Sequence, residues 1–212
     1  MALGTRLTPY KKKLRELGIL VTQDPTICDY LAAPAIVRTQ KFLCALAAGA
    51  PILSSHFVDT CIDDGEIPPV EKFLLKDTVN EKRFKLKLKD VIRRAKASAH
   101  RLLDDIAICC TPDIVNGHET YKAIAEANGA KFYLYRGRGG FVLQKSAGEE
   151  ADLESVYLIS GTKPEERKLW PKFEKMASDG GLQPRIVVAD WLLDSAMSQE
   201  IKWDDSYLVA RD

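Results

Sequence analysis

The sequence predicts an α/β protein built from two similar modules, each a four-stranded parallel sheet flanked by helices and joined to the other by a structured linker. Short apolar runs bounded by turn residues have the form of strands buried on both faces. Stretches of helical spacing lie between them, and the same order returns in the second half, which favours right-handed crossovers and a covered parallel sheet. A length of 212 residues suits two modules of about 100 residues each.

In the first half, Ala2–Thr5 is a short strand. Thr8-Pro9 then offers an N-cap with proline at the first helical position, opening a helix over Tyr10–Leu17 that Gly18 ends. Ile19-Leu20-Val21 and Asp29-Tyr30-Leu31 read as strands. From Val37, the residues Phe42, Leu43, Leu46 and Ala47 keep helical spacing up to Gly49, and Pro51-Ile52-Leu53 is the next strand. Ser54 or Ser55 caps a last helix carrying Phe57, Val58, Cys61 and Ile62 on one face, closed by Gly65.

The second half repeats this order. Ile106–Cys110 is a strand, Thr120–Asn128 a helix followed by Gly129, and Lys131–Tyr135 and Val156–Ile159 are strands. Pro164–Ser178 is a helix ended by Gly180-Gly181, Arg185–Val188 a strand and Trp191–Met197 a final helix. The modules are drawn at residues 1–65 and 102–212. The lysine-rich stretch 66–101 between them is poor in Gly and Ser and includes a helix over Leu88–Ala97, and a charged, glycine-bearing loop is inserted near 136–152.

Hydrophobic residues at 46% and charged residues at 29% allow a core, while a net charge of +1 lacks the basic footprint of a protein that lives on nucleic acid. The five cysteines, Cys28, Cys44, Cys61, Cys109 and Cys110, lie in apolar runs without metal-ligand spacing. Free buried thiols in a reducing compartment are expected. No apolar run reaches membrane-spanning length and no signal peptide opens the chain, so the expectation is an intracellular module of a larger scaffold. His56, His100 and His118 are too scattered for a triad or a metal site, and Cys109-Cys110 sits in an apolar strand where an inert thiol is expected. Neither an enzyme, a metal nor a cofactor is predicted.

The run Arg38-Thr39-Gln40-Lys41-Phe42-Leu43-Cys44-Ala45-Leu46, with Gly49, Pro51-Ile52-Leu53-Ser54 and Phe57 behind it, resembles the second helix, fourth strand and third helix of phosphopeptide-binding BRCT domains. The second half resembles the family more generally, through Gly129, Gly180-Gly181 and Trp191. The likeness is greatest to the tandem pairs of checkpoint mediators and of fungal genome-maintenance scaffolds of the Brc/Rtt type. Phe57 stands where many members have tryptophan, and both it and Trp191 are read as packing residues.

The resemblance implies a phosphate site. Lys41, in the first turns of its helix, matches the family's cationic lysine, and a helix start adds free N–H groups and a favourable dipole. The family pairs that lysine with a hydroxyl residue followed by glycine. Here the order is Gly4-Thr5, so the Thr5 hydroxyl and a backbone N–H at Gly4 or its neighbour are assigned to the phosphate, with Thr8 as the competing hydroxyl and Thr39 beside them. Arg38 resembles the arginine that holds the peptide main chain or its terminal carboxylate, for which a guanidinium fork is suited. The second module, with Thr111-Pro112 in the hydroxyl-glycine place and Lys163 to Lys172 on its helix, is expected to pack against the first and complete the groove.

The implied partner is a phosphoserine peptide, with the Ser-Gln tail of the damage-phosphorylated histone as the leading case, bound in the nucleus by a monomeric module without membrane or direct DNA contact. The alternatives are a structural pair binding an unmodified partner and a module reading a DNA-end phosphate. A small α/β phosphatase would need a nucleophile loop that the sequence lacks.

Overall fold

The computed structural model describes residues 10–137 and 155–210. The Ala2–Thr5 run, the Thr8-Pro9 helix start and most of the expected loop insertion fall outside them. The chain divides into two compact units, Met1–His100 with Ala196–Gln199, and Arg101–Ser195 with Glu200–Asp212.

The first unit opens on α1 (Lys11–Glu16), a short 3-10 turn at Pro25–Ile27 and strand β1 (Leu31–Ala33). Helix α2 (Gln40–Ala47) then leads to β2 (Ile52–Ser54), which pairs parallel with β1, Leu31 facing Ile52 and Ala33 facing Ser54. Helix α3 (His56–Asp64) follows and ends on left-handed Gly65. Two strands, not four, are paired among the described residues of this unit. Ile19-Leu20-Val21 joins no ladder there. It keeps the alternation of a strand, with Ile19 and Val21 packed on the cluster of Leu14, Ala32, Leu53, Phe57, Val58 and Cys61 and Leu20 turned out to solvent.

Two helices, where one was expected, order the stretch after α3: α4 (Thr78–Arg83) and α5 (Leu88–Ser98). Helix α4 lacks an apolar stripe, which hid it in the sequence, and it is started by Asp77, whose carboxylate accepts from Asn80 N at 3.1 Å. Helix α5 lies so close to the end of α2 that a Cβ on Gly49, at φ +69°, would stand 2.8 Å from Lys96 Cγ and 3.3 Å from the Lys96 backbone nitrogen. Glycine is required there for both reasons.

The second unit holds a four-stranded parallel sheet made of β3 (Ala107–Cys110), β4 (Lys131–Leu134), β5 (Ser155–Ile159) and β6 (Gln183–Val187), in the order β4-β3-β5-β6. Its helices are α6 (His118–Ala127), α7 (Pro164–Arg167), α8 (Trp170–Asp179) and α9 (Asp190–Ser198). His118, expected in the preceding loop, is the first residue of α6. The single helix expected over Pro164–Ser178 is two. Pro171 has no N–H to give to Arg167 and its ring crowds that carbonyl, so the chain restarts as α8 with proline in the first turn.

The core of this unit gathers Cys109, Tyr135, Val156, Leu158, Trp170, Phe173 and Ile186. Trp191 is fully buried, stacks on Tyr157 with centroids 4.0 Å apart, and donates from Nε1 to the Lys202 carbonyl at 2.9 Å. In the first unit Phe57 is buried and meets Phe73 edge-on at 5.6 Å. Both aromatics therefore pack, as expected. No helix among the described residues is long and apolar enough to cross a membrane.

Candidate phosphopeptide site

The candidate site is assembled at the head of α2. Thr39 is the N-cap residue, extended at φ −89° and ψ 152°, so Arg38 and Thr39 lie before the helix and Lys41 in its first turn. The helix presents Phe42, Leu43, Cys44, Ala45, Leu46 and Ala47 to the core, which anchors it, and leaves Lys41 and Thr39 exposed. The first intrahelical bond runs from Leu43 N to Thr39 O at 3.0 Å. The N–H groups of Gln40, Lys41 and Phe42 precede it and have no intrahelical acceptor by geometry, and the Thr39 side chain does not cap them. An anion is favoured at such a start.

The turn after α1 flanks this head. Lys41 Nζ donates to Gln23 Oε1 at 3.0 Å. Gln23 is held on a short ordered segment: Asp24 accepts from the Thr26 N–H at 2.9 Å and hydroxyl at 2.6 Å, and Asp24 N donates to Thr22 Oγ1 at 3.1 Å. These hydrogen bonds hold the Asp24 carboxyl below its ordinary range, the side-chain bond from Thr26 first. From the other side, Asp77 Oδ2 accepts from Ile36 N at 2.9 Å and fixes the strand of chain that enters the helix.

Arg38 is partly buried two residues beyond that anchor. The structure thus brings Arg38, Thr39 and Lys41 together, while Gly4, Thr5 and Thr8 fall outside the described residues. Sequence reading missed Gln23 and Asp77, whose partners lie 18 and 41 residues away. Only the Asp before Thr78, a capping residue type, was a signal. Among the described residues no group of three or more His, Cys, Asp or Glu is placed to hold a metal ion.

Two α/β units with parallel strands in succession, the first with an exposed lysine in the first turn of its α2 helix, have the fold class of a tandem BRCT domain pair. Residues 5–75 match the family model described as the BRCT domain of Regulator of Ty1 transposition protein 107. The chain is 29% identical over 212 residues to BRCT-containing protein 1 of Schizosaccharomyces pombe, covering 93% of this chain and 23% of that protein. It is 39% identical over 98 residues to mouse Mediator of DNA damage checkpoint protein 1, covering 46% of this chain and 6% of the relative. The chain thus spans less than a quarter of either.

Among solved structures, the S. pombe Brc1 BRCT5-BRCT6 domains superpose with a TM-score of 0.70 at 26% identity, covering 99% of this chain and 94% of theirs. Rtt107p, solved in complex with phosphorylated histone H2A, superposes with a TM-score of 0.62 at 18% identity, covering 93% and 84%. The second likeness is one of fold.

Proposed function

We propose that this chain is the phosphopeptide-binding module of a nuclear DNA damage response scaffold active in replication-fork repair, and that it recognises a phosphoserine close to a C-terminus. The observation that carries the reading is the position of Lys41: an exposed ammonium in the first turn of a helix whose leading N–H groups point to the same mouth. A phosphate carries nearly two charges and three acceptor oxygens at neutral pH, which match a cation, a hydroxyl and such N–H groups together.

In this reading Lys41 binds the phosphate with a hydroxyl from Thr5 or Thr8, a backbone N–H near Gly4, and Thr39 at the rim. Arg38 takes the peptide main chain or its terminal carboxylate. Residues 1–65 hold the phosphate, 66–101 link, and 102–212 form the second domain. The setting is supported by the name of one relative, a mediator of DNA damage checkpoint, and the ligand class by the match of residues 5–75 to the Rtt107 BRCT family model, Rtt107p having been solved with phosphorylated histone H2A. The module binds and carries out no catalytic step.

One titration series tests this. A Ser-Gln-ending phosphoserine peptide with a free C-terminus should bind at micromolar affinity or tighter, and its unphosphorylated counterpart at least tenfold more weakly. Amidation of the terminus should weaken binding through Arg38. Equal affinity for the phosphorylated and plain peptides overturns the phosphate site and leaves a scaffold for unmodified partners. Competition by DNA with a steep salt slope would instead mark a DNA-end reader.

A further inference from the structure

The two units repeat one another in element order. Strands β1 and β2 of the first correspond to β5 and β6 of the second: each pair is parallel, and each takes an antiparallel bridge on its last strand from the segment past the next helix, at Leu74 beside Leu53 and at Leu208 beside Val187. The head of α7 in the second unit therefore answers to the head of α2 in the first. What stands there is a carboxylate.

Thr111 prolongs β3 by donating its N–H to the Ile159 carbonyl at 3.1 Å, and Ser160 prolongs β5 by donating to the Val187 carbonyl at 3.0 Å. The two neighbouring strands thus end level, bringing the fully buried Thr111 beside Gly161. Between them sits Glu166, only 1% exposed. Its Oε1 accepts from the Thr111 hydroxyl at 2.6 Å and from the Gly161 N–H at 2.8 Å. Its Oε2 is buried with no hydrogen-bond partner among the described residues.

The surroundings are built around this carboxylate. A Cβ on Gly161 would stand 2.5 Å from Glu166 Oε2, so glycine lets the carboxyl group lie close against the loop. Trp170 Nε1 donates to Ser160 Oγ at 2.9 Å, and that hydroxyl donates to the Gly161 carbonyl at 3.0 Å, which fixes the loop. Lys163, the residue before α7, reaches across to the Asp113 carbonyl at 3.0 Å and ties the helix head to the segment after Thr111. A hydroxyl, a backbone N–H and a lysine-bearing helix head are donors for an oxyanion. The carboxylate serves both the Thr111 hydroxyl and the Gly161 N–H through one oxygen, and its other oxygen is left buried without a donor among the described residues.

We infer that the second unit contains an oxyanion pocket closed by the chain's own Glu166, and that removing this side chain opens the pocket to inorganic phosphate. As it stands, with Glu166 in place, this pocket of the second unit takes no phosphate. The inference stands on the second unit alone and does not need the first unit's ligand.

The test uses the full chain carrying Lys41→Met, which removes the first unit's phosphate contact, with the Gly161 amide in a 1H–15N spectrum as reporter and inorganic phosphate at constant ionic strength as probe. With Glu166 present, the Gly161 peak stays in place up to tens of millimolar phosphate. In Glu166→Ala it moves saturably, and adding Thr111→Val weakens that response by tenfold or more. A folded Glu166→Ala chain whose Gly161 ignores phosphate overturns the pocket, and so does a Gly161 that already titrates with Glu166 in place. Should Glu166→Ala not fold, Thr111→Val, Glu166→Gln and their combination are compared by urea unfolding. A double variant no less stable than the worse single supports the closed pocket; additive losses overturn it.

Discussion

The Asp77 carboxylate accepts a hydrogen bond from the Ile36 N–H at 2.9 Å, across 41 residues of chain, while its other oxygen caps α4 through Asn80 N at 3.1 Å. One side chain thus starts a helix and pins the loop that delivers Arg38 and Thr39 to the head of α2. Asp77→Ala should lower stability by about 1–2 kcal/mol, since a cap and an acceptor for a backbone N–H are lost together. Urea unfolding measures this.

The same contact has a pH signature. Hydrogen bonds from the Asn80 side chain first, then from Ile36 N, hold the Asp77 carboxyl below its ordinary range. A folded-state pKa below the unfolded one stabilises at pH above the unfolded value of about 3.9 and ceases to do so as pH falls through the folded value. The stability gap between the native chain and Asp77→Ala should therefore be full at neutral pH and shrink on acidification below about pH 4. A gap that stays constant through that range would contradict the assignment.

Lys41→Met should weaken phosphopeptide binding by an order of magnitude or more, because a charge-assisted hydrogen bond to phosphate contributes about 1.5–3 kcal/mol. Its melting temperature should barely move, for Lys41 is exposed and its bond to Gln23 is a surface contact. Gln23→Ala should leave affinity within about threefold of the native chain, since Gln23 only parks the ammonium. Calorimetric titration with one phosphoserine peptide compares all three.

The thiols should be silent in the folded chain. All five are buried, and burial pushes the Cys44 and Cys110 thiols up to about 12 and raises Cys109, Cys28 and Cys61 as well. A thiol at about 12 carries roughly a thousandfold less thiolate at pH 8 than one at 8.5. A thiol-specific chromogenic reagent should react slowly with the native protein and release all five equivalents in denaturant. Fast reaction of more than one thiol in the native state would count against this packing.

Trp191→Ala should cost about 3–5 kcal/mol, through loss of a fully buried ring stacked on Tyr157. Trp191→Phe keeps an aromatic but removes the Nε1 donor to the Lys202 carbonyl. It should therefore fall between the native chain and the alanine variant when unfolding is followed by circular dichroism.

Alternation of short apolar runs with helical stretches was enough to read an α/β protein of two repeated units, since both signals are local: strand and helix periods are properties of neighbouring residues. The run from Arg38 to Leu46 likewise marked the head of α2, because core-facing spacing and a lysine at the helix start lie within a few positions. Tertiary structure decided the rest. Asp77 reaches Ile36 across 41 residues, the break between α7 and α8 turns on how Pro171 meets the preceding carbonyl, and Gln23 meets Lys41 only after α1 turns back. Thr111 and Glu166, 55 residues apart, become partners because two parallel strands end level beside a helix head. Hydrogen bonds between distant segments leave no period in a sequence, and burial alone determines which polar groups must find one another.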